Sequence, residues 1–286
     1  MTRPHDRFMV ANRLRHHLLE WGAGDRIVLL LHGFLEHAHA WDWVAPQLAA
    51  AGYHVFALDW RGHGDSEWIG AGGYYHFHDY TADLAFLVRA LGGRAALVGH
   101  SMGATAAVAY AGTEPAAVTA LALIDALGPP DMSPEGAPER FATWLRDLAR
   151  VEERGRRAPV PEGDPVARLR ERFPRFSPQV AEHMARFGTR TDGSTLVWKF
   201  DPLHQTTNPQ PYYTLQARGF WRRVSCPVLY VAGAESFLRL PPDELEDRLA
   251  LLRARRVTMA DVGHHPHLEL PDACARVLVE FLATSC

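Results

Sequence analysis

The sharpest chemistry-bearing string in the chain is Gly99-His100-Ser101-Met102-Gly103, which follows the apolar residues 95–98 and opens an alanine-rich stretch. A serine between a strand and a helix, with glycine two residues to either side, is a nucleophile elbow in its expected context. The glycines at 99 and 103 leave room for neighbouring backbone, and the helix start beneath Ser101 favours the negative charge that develops in acyl transfer. Two N–H donors are needed for that charge. Met102, the residue after the nucleophile, supplies one, and Phe34 of His32-Gly33-Phe34, just after the apolar run Ile27–Leu31, supplies the other.

A hydroxyl is a weak nucleophile near neutral pH and needs a base, which the usual chain order places downstream. Gly263-His264-His265-Pro266-His267 offers three histidines. The preceding glycine and the following proline mark His264 as the one presented, with His265 and His267 lining the pocket or facing solvent. The acid has three candidates: Asp125 after the run at 120–124, and Glu235 and Ser236 after the run at 228–232. A carboxylate fixes the imidazole tautomer and stabilises the imidazolium, whereas Ser236 can hydrogen-bond but carries no charge. Asp59-Trp60-Arg61-Gly62-His63-Gly64-Asp65-Ser66 reads as a buttressing turn, with Asp59 and Arg61 paired.

The elements that must position these residues form an alternating pattern. Short runs of Val, Leu, Ile and Ala at 27–31, 54–58, 95–99, 120–125 and 228–232 read as strands buried on both faces. Helical spacing separates them at 44–51, 80–91, 102–111, 242–252 and 274–283. Alternation of this kind predicts an α/β fold with a mostly parallel sheet flanked by helices. Residues 12–21 are expected as an antiparallel edge strand, and 256–259 as the last strand.

From 128 to 218 the alternation breaks into Pro129-Pro130, an Arg/Glu-rich stretch, and short pieces around Pro161, Pro165, Pro174 and Pro178. The expected organisation is therefore a core of residues 1–127 and 219–286 with a mainly helical cap, 128–218, inserted between strands. Most of the cap's Phe141, Trp144, Phe173, Phe176, Phe187, Trp198 and Phe200 should pack among themselves, with a minority facing substrate. The substrate-pocket candidates are His32, Gly33, His100, Trp144 and Trp198.

Composition excludes several function classes. Of 286 residues, 47% are apolar and 22% charged, as in ordinary globular proteins, and a formal net charge of −3 with dispersed arginines gives no nucleic-acid footprint. No run approaches the ~18 apolar residues of a membrane span, and the N-terminus lacks a signal-peptide core, so a cytoplasmic protein is expected. The cysteines, Cys226, Cys274 and Cys286, are odd in number and show no CxxC spacing, which suggests neither a disulfide framework nor a thiolate zinc site. The 16 histidines include the HxH pairs His37/His39 and His76/His78, which could chelate, but no HExxH or binuclear signature is present. Neither a catalytic metal nor a cofactor is expected.

Taken together, His32-Gly33-Phe34, residues 59–66, Gly99 to Gly103 and Gly263 to His267 resemble the α/β-hydrolase fold superfamily in order and spacing. Leu123-Ile124-Asp125, Gly128-Pro129, Trp198-Lys199-Phe200-Asp201-Pro202 and Gly233-Ala234-Glu235-Ser236 look like the serine hydrolase-like esterases related to bacterial YbfF-type esterases. The usual superfamily aspartate, three residues after the glycine ending the penultimate strand, is here Ser236. The resemblance implies that Asp125 takes over as acid and that Ser236 assists His264 as a fourth member. It also implies a small-molecule ester substrate of short to medium apolar chain. Haloalkane dehalogenases and epoxide hydrolases place an aspartate where this chain has Ser101, whereas C–C bond hydrolases and thioesterases keep serine and share the triad. A non-catalytic ligand-binding homologue is the reading from another class.

Overall fold

The apolar runs become the interior of one sheet because alternate side chains along a strand point to opposite faces, and helices cover both. On one face Leu29, Leu31, Leu97, Leu121 and Leu123 pack with Leu84, Leu87 and Ala107. On the other, Val28, Leu30, Ala96, Val98 and Ala122 pack with Leu48, Leu278 and Phe281. The computed structural model describes residues 3–160 and 163–285; Pro161 and Cys286 lie outside them.

In chain order the strands are β1 (His5–Ala11), β2 (Leu14–Trp21), β3 (Ile27–Leu31), β4 (His54–Leu58), β5 (Ala95–His100), β6 (Val118–Ile124), β7 (Thr189–Asp192), β8 (Thr195–Trp198), β9 (Val228–Gly233) and β10 (Arg255–Met259). The helices are α1 (Ala45–Ala50), α2 (Phe77–Ala90), α3 (Met102–Thr113), α4 (Ala137–Arg154), α5 (Pro165–Arg172), α6 (Pro178–Gly188), α7 (Thr214–Trp221), α8 (Pro242–Leu252), α9 (Pro266–Glu269) and α10 (Pro271–Ser285). Eight strands form the main sheet in the order β1-β2-β4-β3-β5-β6-β9-β10. All neighbours from β4 to β10 are parallel, and β2 alone runs against the others, pairing antiparallel with β1 and β4. The parallel strands therefore all end on one edge of the sheet. The loops after β3, β5, β6, β9 and β10 carry Phe34, Ser101, Asp125, Ser236 and His264.

Two elements differ from the sequence expectation. Residues 14–21 are antiparallel as expected but are not the edge, because β1 lies outside them and covers the second side of the pair. The link is Asn12-Arg13, with φ of 48° and 67°. These are the angles of a tight hairpin turn, carried here without the glycine that usually signals one. In the insert, β7 and β8 form a separate hairpin around Asp192-Gly193, where Gly193 has φ 64°. A helical reading of the insert thus misses a strand pair that this Asp-Gly turn announces.

The insert's helices pack on the core through α6. Val180, Ala181 and Met184 join Phe176, Ala40 and Leu268 in a third apolar cluster. Residue 218 falls inside α7, and Ala217 and Trp221 of that helix belong to the core cluster of β6 and α3.

Candidate functional site

Ser101 is held where serine is strained. The chain leaves β5 and turns into α3 at φ 51°, ψ −114°, a backbone conformation that L-residues rarely adopt. Close approach of neighbouring chain explains the flanking glycines. A Cβ on Gly99 would lie 2.5 Å from the Ala104 nitrogen, and one on Gly103 would lie 2.3 Å from the Leu31 carbonyl oxygen. Both obstacles are backbone.

The Ser101 hydroxyl lies 3.0 Å from His264 Nε2, and His264 Nδ1 lies 2.6 Å from Asp125 Oδ2. An ionised Asp125 holds the proton on Nδ1 and leaves Nε2 free to accept the serine proton. Asp125 is itself anchored at an unusual backbone angle, φ 53°. Its Oδ1 accepts from the Gly233 N–H at 3.0 Å, and its Oδ2 also accepts from the Ser236 hydroxyl at 2.5 Å. Asp125 and Ser236 are both buried. Glu235 does not join them: its carboxylate is 56% exposed and faces Arg175 at 3.8 Å. Among the described residues, the backbone N–H groups of Phe34 and Met102 have no acceptor, which leaves both available to a developing oxyanion.

Beneath these loops sits a group that the motifs did not announce. Glu36 is buried and accepts from the Gly33 N–H at 2.9 Å. It also lies 3.0 Å from His100 Nδ1, 3.4 Å from His265 Nε2 and 3.8 Å from His267 Nε2. The opposite nitrogen of His100 donates to the His264 carbonyl at 2.9 Å. Glu36 and His100 thus connect the Phe34 loop, the residue before Ser101 and the His264 loop. Burial pushes the Glu36 carboxyl up, yet the three imidazoles, His100 foremost, outweigh it and hold the group well below the usual carboxylate range. Burial likewise opposes a charged His100, but Glu36 raises it above its ordinary value. Burial wins at His265, which is lowered, and at His267, which is pushed down to about 3. The one signal for this group was a glutamate three residues after Gly33.

Comparison with known proteins agrees with the fold. Residues 26–271 match the model of the alpha/beta hydrolase fold. The chain belongs to the α/β-hydrolase family. It is 26% identical over 276 residues to a serine hydrolase-like protein of Danio rerio, covering 92% of this chain and 83% of that one. Epoxide hydrolase A of Mycobacterium tuberculosis is 43% identical over 106 residues, which span 36% of this chain and only 33% of that protein. Among solved structures, the thioesterase domain from the curacin biosynthetic pathway superposes with a TM-score of 0.85 at 27% identity, covering 99% of this chain and all of that one.

The hydrolase has a cleft of about 980 Å³ that adjoins the loop after β3 at Phe34, Leu35 and Glu36. Phe173, Phe176, Trp198 and Phe200 line it. Four of the seven insert aromatics therefore face the cleft, more than the minority expected. The pocket candidates separate. Trp198 lines the cleft, whereas Trp144 packs at the surface against Tyr74 and Phe141. His32 and His100 are fully enclosed, His32 donating to the Gly33 carbonyl at 2.7 Å and accepting from the Trp60 N–H at 3.1 Å. Gly33 serves through its backbone. His265 and His267, expected to line the pocket or face solvent, are buried beside Glu36.

The buttressing turn pairs differently from the expectation. Arg61 binds Asp83, at 2.6 and 2.5 Å, while Asp59 accepts from His17 at 2.7 Å and from the Ala38 and Asp65 N–H groups. Each carboxylate is thereby taken by a partner distant in sequence, which adjacency along the chain could not indicate.

Three groups among the described residues place histidine and carboxylate donors together: Glu36/His100/His267, His17/Asp59/Asp65 and His39/Asp42/His183. No helix among the described residues is long and apolar enough to cross a membrane.

Proposed function

We propose that this hydrolase is a serine-dependent carboxylic ester hydrolase working through an acyl-enzyme. The observation that carries the reading is the unbroken chain Ser101 Oγ, His264 and Asp125, with contacts of 3.0 and 2.6 Å. Ser101 attacks the ester carbonyl as His264 Nε2 takes its proton, and the Phe34 and Met102 N–H groups receive the oxyanion. His264 then returns the proton to the leaving alcohol, and water, activated by the same imidazole, releases the acid. Ser236 acts as a fourth member by fixing Asp125. Residues 128–218 act as the cap, and the aromatic lining they give the cleft favours short- to medium-chain apolar acyl groups. The partial similarity to an epoxide hydrolase does not carry over as activity, since the elbow presents a hydroxyl rather than a carboxylate.

The test is hydrolysis of p-nitrophenyl esters from acetate to dodecanoate by the wild type and by Ser101→Ala. Turnover with a short- or medium-chain optimum, abolished in the variant, is expected. Folded wild type that turns over no ester overturns the proposal.

One observation favours a thioesterase as the second reading. The cleft is also lined by Arg150, Arg154, Arg157, Arg168 and Arg172 against Asp147 and Glu171. Arg150, Arg168 and Arg157 pair with Asp147, Glu171 and Asp192. Arg154 and Arg172 have no carboxylate partner among the described residues, and they suit a phosphate-bearing leaving group. A kcat/KM for acyl-CoA above that for the p-nitrophenyl ester of the same acid would select this reading.

A further inference from the structure

The histidines of the HxH pair at 37 and 39 part company. His37 turns inward and donates through Nε2 to the Met184 carbonyl at 3.0 Å. His39 instead meets Asp42 of its own segment and His183 of α6 in the insert. Its Nδ1 lies 2.8 Å from Asp42 Oδ2, and His183 Nε2 lies 3.2 Å from the same oxygen. One donor atom from each of the three lies within 4.8 Å of the others.

A tetrahedral zinc ion with bonds of about 2.0–2.1 Å keeps its ligands about 3.3 Å apart, so the two distances to Asp42 need open by only about half an ångström or less, with the imidazole nitrogens already within 4.8 Å of each other. The rings are already fixed: His39 stacks on Phe187 with centroids 3.6 Å apart, and His183 packs on Trp43 at 4.3 Å. The side chains are 15%, 18% and 19% exposed, which admits an ion and leaves a position for water. Asp42 Oδ1 is buried with no hydrogen-bond partner among the described residues. Two imidazoles and one carboxylate suit zinc better than magnesium or calcium.

We propose that His39, Asp42 and His183 bind a divalent transition-metal ion, zinc foremost, which ties α6 of the insert to the core segment at 38–42. Each imidazole binds through the nitrogen that otherwise faces Asp42 and carries its proton on the other, His183 Nε2 giving up its 3.0 Å contact with the His39 carbonyl. Because Met184 of α6 lines the cleft, the ion fixes one wall of the substrate space without touching Ser101.

The experiment uses untagged, metal-stripped protein titrated with Zn²⁺ by calorimetry and with Co²⁺ by visible absorption. Uptake of one equivalent with Kd on the order of 10 µM or tighter, the Co²⁺ bands of a four-coordinate site and a raised Tm are expected. His183→Gln, His39→Gln and Asp42→Asn should each weaken binding by about tenfold or more. Circular dichroism identifies any variant that fails to fold, leaving the others to decide. No saturable uptake by the wild type overturns the proposal. So does undiminished affinity in folded His183→Gln, or uptake lost only in His267→Gln, which would move the ion to the buried Glu36 group.

Discussion

Asp125, at the end of β6, lies 2.6 Å from His264 Nδ1, and Ser236, after β9, donates to the same carboxylate oxygen. The charge and the site after β9 are thus divided between two strands. Asp125→Asn removes the charge and presents the wrong hydrogen-bonding partner, so kcat should fall by about 10³ to 10⁴. Ser236→Ala removes the hydrogen bond to Asp125 and the acceptor of the Leu238 N–H, neither carrying the charge, and should cost about tenfold or less. The double change Asp125→Asn/Ser236→Asp returns a carboxylate to the neighbourhood and should recover at least about tenfold over Asp125→Asn. Steady-state kinetics on one ester decides, and a larger loss from Glu235→Gln than from Asp125→Asn would sink this assignment.

The loops were legible where chemistry imposes backbone geometry. Gly99 and Gly103 announce the elbow because only a residue without Cβ fits beside Ala104 and Leu31. The interior strands were legible because burial on both faces removes polar residues from them. Pairings between distant residues outside the set of Ser101, His264, Asp125 and Ser236 were not. Arg61 meets Asp83 rather than Asp59, and Glu36 collects three histidines from two other loops, since sequence proximity says nothing about which loops the sheet brings together. The edge hairpin escaped for a local reason: Asn12-Arg13 adopts glycine-like angles without glycine.

Gly103→Ala tests the close approach beneath the nucleophile. The new methyl would meet the Leu31 and His32 carbonyl oxygens at 2.3 and 2.7 Å, and neither can rotate away. The sheet and α3 must separate locally, which should cost about 2–3 kcal/mol or more and displace Ser101. Urea unfolding should show a lowered midpoint together with reduced kcat, and an unchanged midpoint would contradict the packing argument.

Glu36 should matter to stability and turnover in separable ways. Glu36→Ala strands the Gly33 N–H and leaves His100 without its carboxylate, so a loss of about 3–5 kcal/mol is expected. Glu36→Gln keeps an acceptor for Gly33 but not the charge facing His100, and it should lower kcat more than it changes KM. A Glu36→Gln protein with wild-type midpoint and wild-type kcat would show that the link between the loops is dispensable.

Buried neutral histidines should make the fold acid-sensitive well before its carboxylates titrate. Burial lowers His37 to about 4 and His204 and His267 to about 3, against about 6.5 in the unfolded chain. Above pH 6.5 both states leave these rings neutral. Below it the unfolded chain takes protons that the folded chain refuses, so their stabilisation falls as pH drops from 6.5 toward 4. The slope approaches about 1.4 kcal/mol per pH unit for each ring. His17 and His100 are shifted upward, so their contribution is complete below pH 6.5 and is lost only as pH rises above it. Glu36 and Asp59 are depressed, and their contribution declines only as pH approaches the ordinary carboxylate range near 4. Between pH 6.5 and 5 the histidines therefore dominate. Tm measured by calorimetry should peak near neutrality and decline through that window, less steeply in His204→Gln, whereas a Tm constant from pH 7 to 5 would mean that these rings take protons without leaving the folded core.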